Sequence, residues 1–259
     1  MAQPDAVPAF DFNSGSPVAA KLEAFTRLSD DSRAALAQLS RNNVHFVEPR
    51  RDLISEGDRP RQVHLLLDGW ACRYKAQADG KRQIVSFFLP GDFCDLDLYT
   101  LKRMDHSIGA ITRLKVATIT PEEMHSLIEE RPRITQALLW HELVTSAIQR
   151  EWIVSLGLRS AYERLGHLLL ELYLRLKTVG RADDGHCDFP LTQTDLADAT
   201  GLTAVHVNRT LQELRRDGLI ELERKQLQIL DLERLKDVSM FNPNYLHLGR
   251  EGRRLDAND

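Results

Sequence analysis

The chain has 259 residues, enough for one large domain or two modest ones. It is 42% hydrophobic and 28% charged, and it has no apolar run of the ~20 residues that a membrane-spanning helix needs. This composition argues against a helical membrane protein. Because the formal net charge is −4, any contact with DNA must depend on a local set of cations rather than on bulk attraction.

The N-terminus is polar, contains proline and lacks the apolar core of a signal peptide. We therefore expect a flexible tail over residues 1–20 and a cytoplasmic protein. Cys72, Cys94 and Cys187 are far apart and form no C-x-x-C pair, so we predict reduced thiols and no metal site. Cys187 immediately precedes the candidate DNA-binding motif, so a second hypothesis is that its oxidation perturbs DNA binding.

Short alternating segments between about Val44 and Ile119 predict an antiparallel sheet domain over residues 21–120. Asp68-Gly69 and Asp79-Gly80 are dipeptides that favour hairpin turns, and Pro90-Gly91-Asp92 indicates a further turn. Short strands at this spacing are typical of a rolled or closed sheet.

Helical periodicity follows over residues 121–158, with one helix opened by Pro121 and a long one from about Pro132 to Leu156. Side chains spaced by four and three predict a seam that pairs two copies of the chain. The predicted seam contains Ile134, Leu138, His141, Thr145, Ile148 and Trp152. Gly157 is predicted as a hinge. Protonation of His141 across a dimer would couple pH to assembly, although a histidine with its hydrogen bonds satisfied explains the position as well.

Residues 159–259 contain the pattern that is typical of a winged helix-turn-helix. A helix from about Ser160 to Lys177 is followed by a polar loop from Gly180 to Gly185. Thr192 is predicted to cap a helix over Gln193–Thr200, Gly201 provides a tight turn, and Thr203 caps a second helix that ends near Gly218. Two short apolar segments on either side of a turn at Lys225-Gln226 predict the wing.

A second helix of this kind places its N-terminal side chains against base edges in the major groove. Arginine can bond both acceptors of a guanine, so Arg209 is the main candidate for reading a base. The other candidates for base contacts are His206, Asn208 and Val205. Hydroxyls and backbone amides at helix starts suit phosphate, as do basic side chains. The predicted phosphate contacts are Thr192, Gln193, Thr194, Thr203 and Arg215.

From about Leu22 to Leu235 the chain resembles the Crp/Fnr family of bacterial transcription regulators. The resemblance rests on Gly69, Asp79-Gly80, Pro90-Gly91-Asp92-Phe93 and the stretch from Leu191 through Arg209 to Ile220. It implies an α+β fold with an N-terminal antiparallel β-roll of the cyclic-nucleotide-binding (jelly-roll) type, a long dimerisation helix and a C-terminal winged helix-turn-helix. It also implies a homodimer on palindromic double-stranded DNA, and we expect RNA polymerase as a further partner.

Several positions depart from the family pattern. Cyclic-nucleotide binders carry Gly-Glu-Leu and, a little later, Arg-Ser or Arg-Thr. Here the segments are Cys94-Asp95-Leu96 and Asp105-His106-Ser107, and the pair that touches adenine falls at Gln149-Arg150, so cyclic AMP is not expected. The N-terminal cysteine cluster of the oxygen-sensing members is missing, so no iron–sulfur cluster is expected. Ala204 and Val205 replace an Arg and a Glu of the recognition helix, whereas Arg209 is retained.

Alternative functions remain open at this stage. The roll could be a scaffold in a regulator that needs no effector, or it could be a small-molecule sensor whose helix-turn-helix mainly contacts protein. An enzyme is not expected. His141-Glu142 lacks a second histidine at Thr145 for a zinc hydrolase, and the strand region has no His-x-His for a metal-dependent cupin.

Overall fold

The computed structural model describes residues 16–96 and 101–249. The first elements of the described part are two helices, α1 (Pro17–Glu23) and α2 (Asp30–Leu39). Val18, Ala19 and Leu22 of α1 are buried, because they pack into a core that α1 shares with the sheet. The predicted flexible tail is therefore wrong for residues 17–20, and residues 1–15 lie outside the described part of the chain.

The N-terminal domain is the predicted antiparallel β-roll. Its strands are β1 (Val44–Val47), β2 (Asp52–Ile54), β3 (Val63–Asp68), β4 (Ala71–Ala76), β5 (Arg82–Phe88), β6 (Ser107–Ala110) and β7 (Leu114–Ile119). They form one sheet in the order β1-β7-β3 and a second in the order β2-β6-β4-β5. Leu66 and Val116 of the first sheet share an apolar core with Phe88 of the second. Alternating side chains thus close the roll, as the pattern predicts.

Two glycines of the turns are required by both backbone conformation and space. Gly69 has φ +92°, and a Cβ there would lie 2.4 Å from the carbonyl oxygen of Arg113. Gly91 has φ +93°, and a Cβ there would lie 2.6 Å from the carbonyl oxygen of Pro17. Only glycine meets both conditions without strain. The turn at Gly91 consequently brings α1 against the roll.

Two helices follow the roll. Helix α3 (Pro121–Glu130) begins with a capping box in which Thr120 and Glu123 each bond the backbone of the other. Helix α4 (Pro132–Leu158) runs without a break through Gly157. The interruption predicted at Leu156-Gly157-Leu158 is therefore wrong, because α4 ends at Leu158 and the chain changes direction at Arg159 and Ser160. A hinge near Gly157 stays a prediction.

The side chains predicted as the dimer seam lie on the wrong face of α4. Ile134, Leu138, His141, Ile148 and Trp152 are buried inside the protomer, and Thr145 is half-buried. The ring of His141 contacts that of Phe93 with centroids 6.2 Å apart, and the ring of Trp152 contacts that of Phe87 at 5.8 Å. This stripe therefore packs against the protomer's own roll.

A different stripe of α4 is left exposed. Leu139, Leu143 and Ile153 expose 61%, 53% and 70% of their surface. Their spacing of four and ten residues keeps them on one face of the helix. Within the described residues, this face carries a run of large apolar side chains that nothing in the protomer covers.

The C-terminal domain is a winged helix-turn-helix with an added hairpin. Its elements are α5 (Ala161–Thr178), β8 (Ala182–Asp183), β9 (His186–Asp188), α6 (Gln193–Thr200), α7 (Ala204–Arg216), β10 (Ile220–Glu223), β11 (Gln226–Ile229), α8 (Leu232–Val238) and a 3-10 turn (Pro243–Leu246). The sheet order is β10-β11-β9-β8. The segment from Gly180 to Gly185, predicted as a loop, instead turns the hairpin β8–β9, which extends the wing sheet because β9 pairs with β11.

Arg164 joins the end of α4 to the helix-turn-helix. Its guanidinium donates hydrogen bonds to the carbonyl oxygens of Ser155 (3.0 Å), Leu156 (3.0 Å), Arg159 (2.9 Å) and Thr200 (2.6 Å). The first three acceptors lie at or just beyond the end of α4, and the fourth lies in α6. One side chain therefore holds the junction between the long helix and the DNA-binding domain.

We predict that Arg164→Met lowers the free energy of unfolding by about 1.5–3 kcal/mol, the range for a lost hydrogen bond to a charged group. Urea denaturation followed by circular dichroism measures this. The matched control is Arg216→Met, because the Arg216 side chain is 75% exposed and lies 3.7 Å from its neighbour Asp217 in a solvent-exposed pair. Equal midpoints for the two variants would contradict the assigned role.

Candidate nucleic-acid interface

The helix-turn-helix is built by two capped helices and a left-handed turn. The Thr192 hydroxyl accepts a hydrogen bond from the Asp195 backbone N–H at 3.1 Å, and the Asp195 carboxylate accepts one from the Thr192 N–H at 2.9 Å. Gly201 ends α6 with φ +66°, and the Thr203 hydroxyl accepts from the His206 N–H at 3.2 Å. Short-range hydrogen bonds and one glycine thus fix where α6 begins, where it ends and where α7 begins, as the sequence predicts.

Helix α7 has one buried and one exposed face. Val207, Leu211 and Leu214 are buried in the core of the domain. On the outer face, Val205 is exposed and the Arg209 side chain is 69% exposed. The Arg209 Nε lies 4.0 Å from the Glu213 carboxylate, a loose contact that leaves the guanidinium in solvent. The N-terminal half of α7 therefore presents its candidate base-reading side chains outward.

His206 and Asn208 are half-buried beside the exposed face. The Asn208 side-chain amide donates a hydrogen bond to the Gln193 side-chain oxygen at 3.1 Å. Gln193 and Thr194 are exposed in the first turn of α6. The contact joins a residue predicted to read bases to one predicted to bind phosphate, so these side chains form one surface.

Arg215 does not belong to that surface as the structure describes it. Its Nη2 donates a hydrogen bond to the Leu222 carbonyl oxygen at 2.6 Å, and the residue is half-buried. The side chain therefore ties α7 to β10 of the wing. We correct its predicted role from a phosphate contact to a structural one, because the guanidinium faces the domain's own backbone.

The roll contacts the helix-turn-helix through Arg82, which the sequence did not single out. Arg82 Nε lies 2.9 Å from the Asp198 carboxylate, and its Nη2 lies 3.0 Å from that of Asp195. The amide of Gln83 also donates to the Ala199 carbonyl oxygen at 3.3 Å. Strand β5 therefore holds α6, and Arg82 compensates two acids of that helix. No short sequence pattern predicts these ion pairs, because the partners are more than a hundred residues apart in the chain.

The structure argues against a redox role for Cys187. The residue is buried in β9, and burial raises the pKa of its thiol to about 12. Burial likewise raises the pKa of Cys72 to about 12 and that of Cys94 above its usual value. A thiol reacts with peroxide as the thiolate, so all three are protected at neutral pH.

We predict that peroxide leaves the DNA affinity of the native protein unchanged, because the protonated Cys187 thiol is inaccessible. Gel shifts before and after treatment measure this, with Cys187→Ala as the matched control. If the native protein lost affinity while the variant kept it, the oxidation hypothesis would be restored.

In the segment that corresponds to the cyclic-nucleotide-binding motif, the acidic residue already has hydrogen-bond partners within the protein. Asp95 is buried, and its carboxylate accepts hydrogen bonds from the His64 ring Nδ1–H and backbone N–H, both at 2.7 Å. His106 pairs through Nδ1 with the Asp105 carboxylate at 2.6 Å. Residues 97–100 lie outside the described residues. The Asp95 carboxylate is thus hydrogen-bonded to His64 of β3.

Within residues 16–96 and 101–249, no group of three or more His, Cys, Asp or Glu side chains is arranged to hold a metal ion. Over the same ranges, none of the helices combines the length and the apolar character needed to span a bilayer.

Comparisons with known proteins agree with this architecture. Residues 44–131 match the cyclic nucleotide-binding domain, and residues 163–238 match the Crp-like helix-turn-helix domain. The nitrogen fixation regulation protein FixK of Bradyrhizobium diazoefficiens is 34% identical over 198 residues, which cover 76% of this chain and 81% of that protein. The chain belongs to the Crp/Fnr family. This Crp/Fnr protein is also 31% identical over 213 residues to the transcriptional activator protein FnrL of Cereibacter sphaeroides, covering 81% of this chain and 84% of that one.

A solved structure, that of FixK2 from Bradyrhizobium japonicum, shares the fold with a TM-score of 0.68. It is 23% identical and covers 75% of this chain and 96% of that chain. The predicted fold class is confirmed, and so is the function of sequence-specific DNA binding in transcription regulation. The individual roles of the side chains on α6 and α7 stay predictions.

Proposed function

We propose that this Crp/Fnr regulator is a homodimer that binds a two-fold palindromic promoter site, with α7 of each protomer in the major groove of one half-site. The observation that carries the proposal is the exposed N-terminal half of α7, which carries Arg209 opposite a buried apolar face. This is the arrangement that a recognition helix needs.

We assign the base-reading role mainly to Arg209, because a guanidinium can bond the O6 and N7 acceptors of one guanine. His206, Asn208 and Val205 contact the neighbouring base edges. Around them, Thr203 and the exposed start of α6 bind phosphates through hydroxyls, amides and the positive end of the helix dipole. The phosphate-binding residues of α6 are Thr192, Gln193 and Thr194.

The dimer interface proposed here is the exposed stripe of α4 that contains Leu139, Leu143 and Ile153. Large apolar side chains on one helix face are costly to leave in water. Two copies of the helix packed along this face remove both stripes from solvent, and a two-fold axis between them suits a palindrome. The helix ends beside Arg164, so the interface also positions the DNA-binding domains.

A cyclic nucleotide is not the effector in this proposal. The acid that would hold a ribose hydroxyl is Asp95, which is bonded to His64, and the place of the phosphate-binding arginine is taken by His106 or Asp105. We likewise assign no iron–sulfur cluster and no enzymatic activity. The protein acts in the cytoplasm, where its DNA is, and RNA polymerase is the further partner expected of it.

Selecting bound fragments from sheared genomic DNA with the purified, ligand-free protein tests the function. We expect fragments enriched in one palindrome, with half-site centres one helical turn apart. A gel shift on that palindrome then separates the remaining alternatives. Tight binding without any addition supports a regulator that needs no effector, and binding only after a small-molecule extract is added supports a switch. Failure to enrich any palindrome under either condition would refute the proposal.

A further inference from the structure

A short C-terminal segment, residues 239–248, leads from the DNA-binding domain back to the long helix α4. It follows α8, contains the 3-10 turn Pro243–Leu246, and lies beyond residues 163–238, which match the Crp-like helix-turn-helix domain. Phe241 and Leu246 are buried in a core that also contains side chains of α4, α5 and the roll. The segment is therefore packed against several elements at once, and we call it the strap.

Aromatic rings join the strap to both α4 and α5. On α5, the His167 ring stacks on that of Tyr245, with centroids 5.7 Å apart and planes 15° from parallel, and it contacts Phe241 at 4.8 Å. On α4, the Trp140 ring contacts that of His247 at 5.9 Å. Burial lowers the pKa of His167 to about 3, so its ring packs as a neutral aromatic group. The strap thus spans the two helices that meet at the domain junction.

The carboxyl group of Glu171 makes a polar contact among the same three segments. It is fully buried on α5, and it accepts hydrogen bonds from the Trp152 Nε1–H of α4 and from the Tyr245 hydroxyl of the strap, both at 3.0 Å. Arg175, one turn further along α5, lies 3.4 Å from the same group. Burial and the charge of Glu171 raise the pKa of Tyr245 well above its ordinary value, so the phenol keeps the proton that it donates. Because a buried carboxyl group without donors is costly, these bonds hold α4, α5 and the strap together.

This contact is a second attachment of α5 to α4, in addition to the one at Arg164. Arg164, near the start of α5, bonds the carbonyl oxygens of Ser155 and Leu156 at the end of α4. Glu171 lies about two helical turns beyond Arg164, so the two attachments are about 10 Å apart along α5. One attachment allows a helix to pivot, whereas two separated attachments fix its direction.

We propose that the strap determines specificity for operator spacing: through Tyr245 and Glu171 it fixes the angle between α4 and α5, and with it the separation of the half-sites that the dimer accepts. The inference rests on the proposed function, because the dimer of α4 relates the two recognition helices. One inserted base pair moves the half-sites apart by about 3.4 Å and rotates one of them by about 34° about the DNA axis. A dimer with fixed DNA-binding domains cannot follow this change, whereas one with pivoting domains can.

The first measurement is operator affinity as a function of half-site spacing. Gel shifts with the full-length protein use the selected palindrome and versions with one base pair inserted or removed at its centre. Tyr245→Leu removes the hydroxyl donor and the stacked ring, and Tyr245→Phe removes the donor alone. Tyr162→Leu is the matched control, because the Tyr162 hydroxyl donates to the Asp217 carboxylate at 2.8 Å, a bond inside the DNA-binding domain.

We expect the native protein to prefer the selected spacing by about tenfold or more, the order of the effect of one mismatched base pair. Tyr245→Leu should lower this preference by about threefold or more, as for the loss of a hydrogen bond to a charged group. Tyr245→Phe should lower it less, and Tyr162→Leu should leave it unchanged. Some preference remains because Arg164 and Arg82 still hold the domain. A variant that merely destabilises the fold would weaken binding to all spacings by the same factor.

The second measurement reports the arrangement of the domains without DNA. Gln212 is exposed on α7, so a nitroxide on Gln212→Cys gives the distance between the two recognition helices of a dimer by pulsed electron paramagnetic resonance. The three native cysteines are buried, which makes the labelling specific. We expect a narrow distance distribution in the native background and with Tyr162→Leu, and a broader one with Tyr245→Leu.

The proposal is overturned if the Tyr245→Leu and Tyr162→Leu proteins have the same spacing preference and the same distance distribution, or if the native protein binds all spacings equally. If Tyr245→Leu does not fold, Tyr245→Phe provides the same comparison. Unchanged spacing preference in the Tyr245 variants of a protein that binds its palindrome refutes the role of the strap alone. A distance distribution that broadens in a protein that selects no palindrome refutes the DNA-site proposal and leaves the strap assignment standing.

Discussion

Arg209→Ala is expected to weaken operator binding by about 1–3 kcal/mol for each half-site, the discrimination that one bidentate arginine–guanine contact provides. The side chain is 69% exposed on α7, and among the described residues its one ion-pair contact is a loose one to Glu213, so the guanidinium is available for DNA. The substitution should therefore remove a DNA contact without damaging the fold. Circular dichroism and an unchanged unfolding midpoint check the second point.

The diagnostic measurement is a set of gel shifts on the selected palindrome and on versions with each base pair changed. The native protein should discriminate strongly at one symmetric pair of positions, and Arg209→Ala should bind all bases there equally. Arg216→Ala is the control, because Arg216 is exposed at the far end of α7 and should change affinity uniformly, if at all. An Arg209→Ala protein that retained full affinity and full discrimination would refute the assignment.

Leu143→Asp is expected to dissociate the dimer, with a loss of about 2 kcal/mol or more in dimerisation free energy, as for the central residue of an interface. Leu143 lies in the exposed stripe of α4, and a carboxylate buried at a two-fold axis faces its own copy. Operator affinity should fall in parallel, because a monomer contacts one half-site only. Analytical ultracentrifugation over a range of concentrations measures the first effect.

Phe46→Asp is the matched control for this experiment. Phe46 is 54% exposed, close to the exposure of Leu143, but it lies on β1 away from α4. It should leave the oligomeric state and the operator affinity unchanged. If Leu143→Asp remained as dimeric as this control, the exposed stripe would not be the interface.

The helix-turn-helix could be predicted almost to the residue, because its boundaries depend on local chemistry. Thr192 and Thr203 accept hydrogen bonds from backbone groups three residues ahead, and Gly201 adopts a left-handed conformation that other residues avoid. These interactions form within a few residues of chain, so the sequence alone carries them. The turn glycines of the roll, Gly69 and Gly91, belong to the same class of signal.

The face of α4 could not be predicted in the same way. Apolar side chains spaced by three and four occur on two stripes of this helix, one through Leu138 and one through Leu139. The hydrophobic periodicity of α4 predicts both stripes. Which of them is buried within the protomer depends on where the roll packs against the helix. The stripe through Leu138 packs beneath the roll and α1, and the stripe through Leu139 stays exposed.

The partners of Arg82 and Arg215 could not be predicted from the sequence either. Arg82 pairs with Asp195 and Asp198 across two domains, and Arg215 bonds the wing backbone at Leu222. An arginine's partners follow from distances in space, which residue type and sequence neighbours do not specify. The predicted phosphate contact of Arg215 is wrong for this reason, and the sequence pattern gave no indication of the pairs that Arg82 makes.

The sequence by itself determined the rolled sheet, the two capped helices, the wing and the place of Arg209 on the recognition helix, since period and capping are encoded within short segments. Only the tertiary structure decided which stripe of α4 is exposed and that Arg164 and Arg82 hold the DNA-binding domain. Those features depend on packing between segments far apart in the chain, where burial and distance rather than local pattern set the outcome.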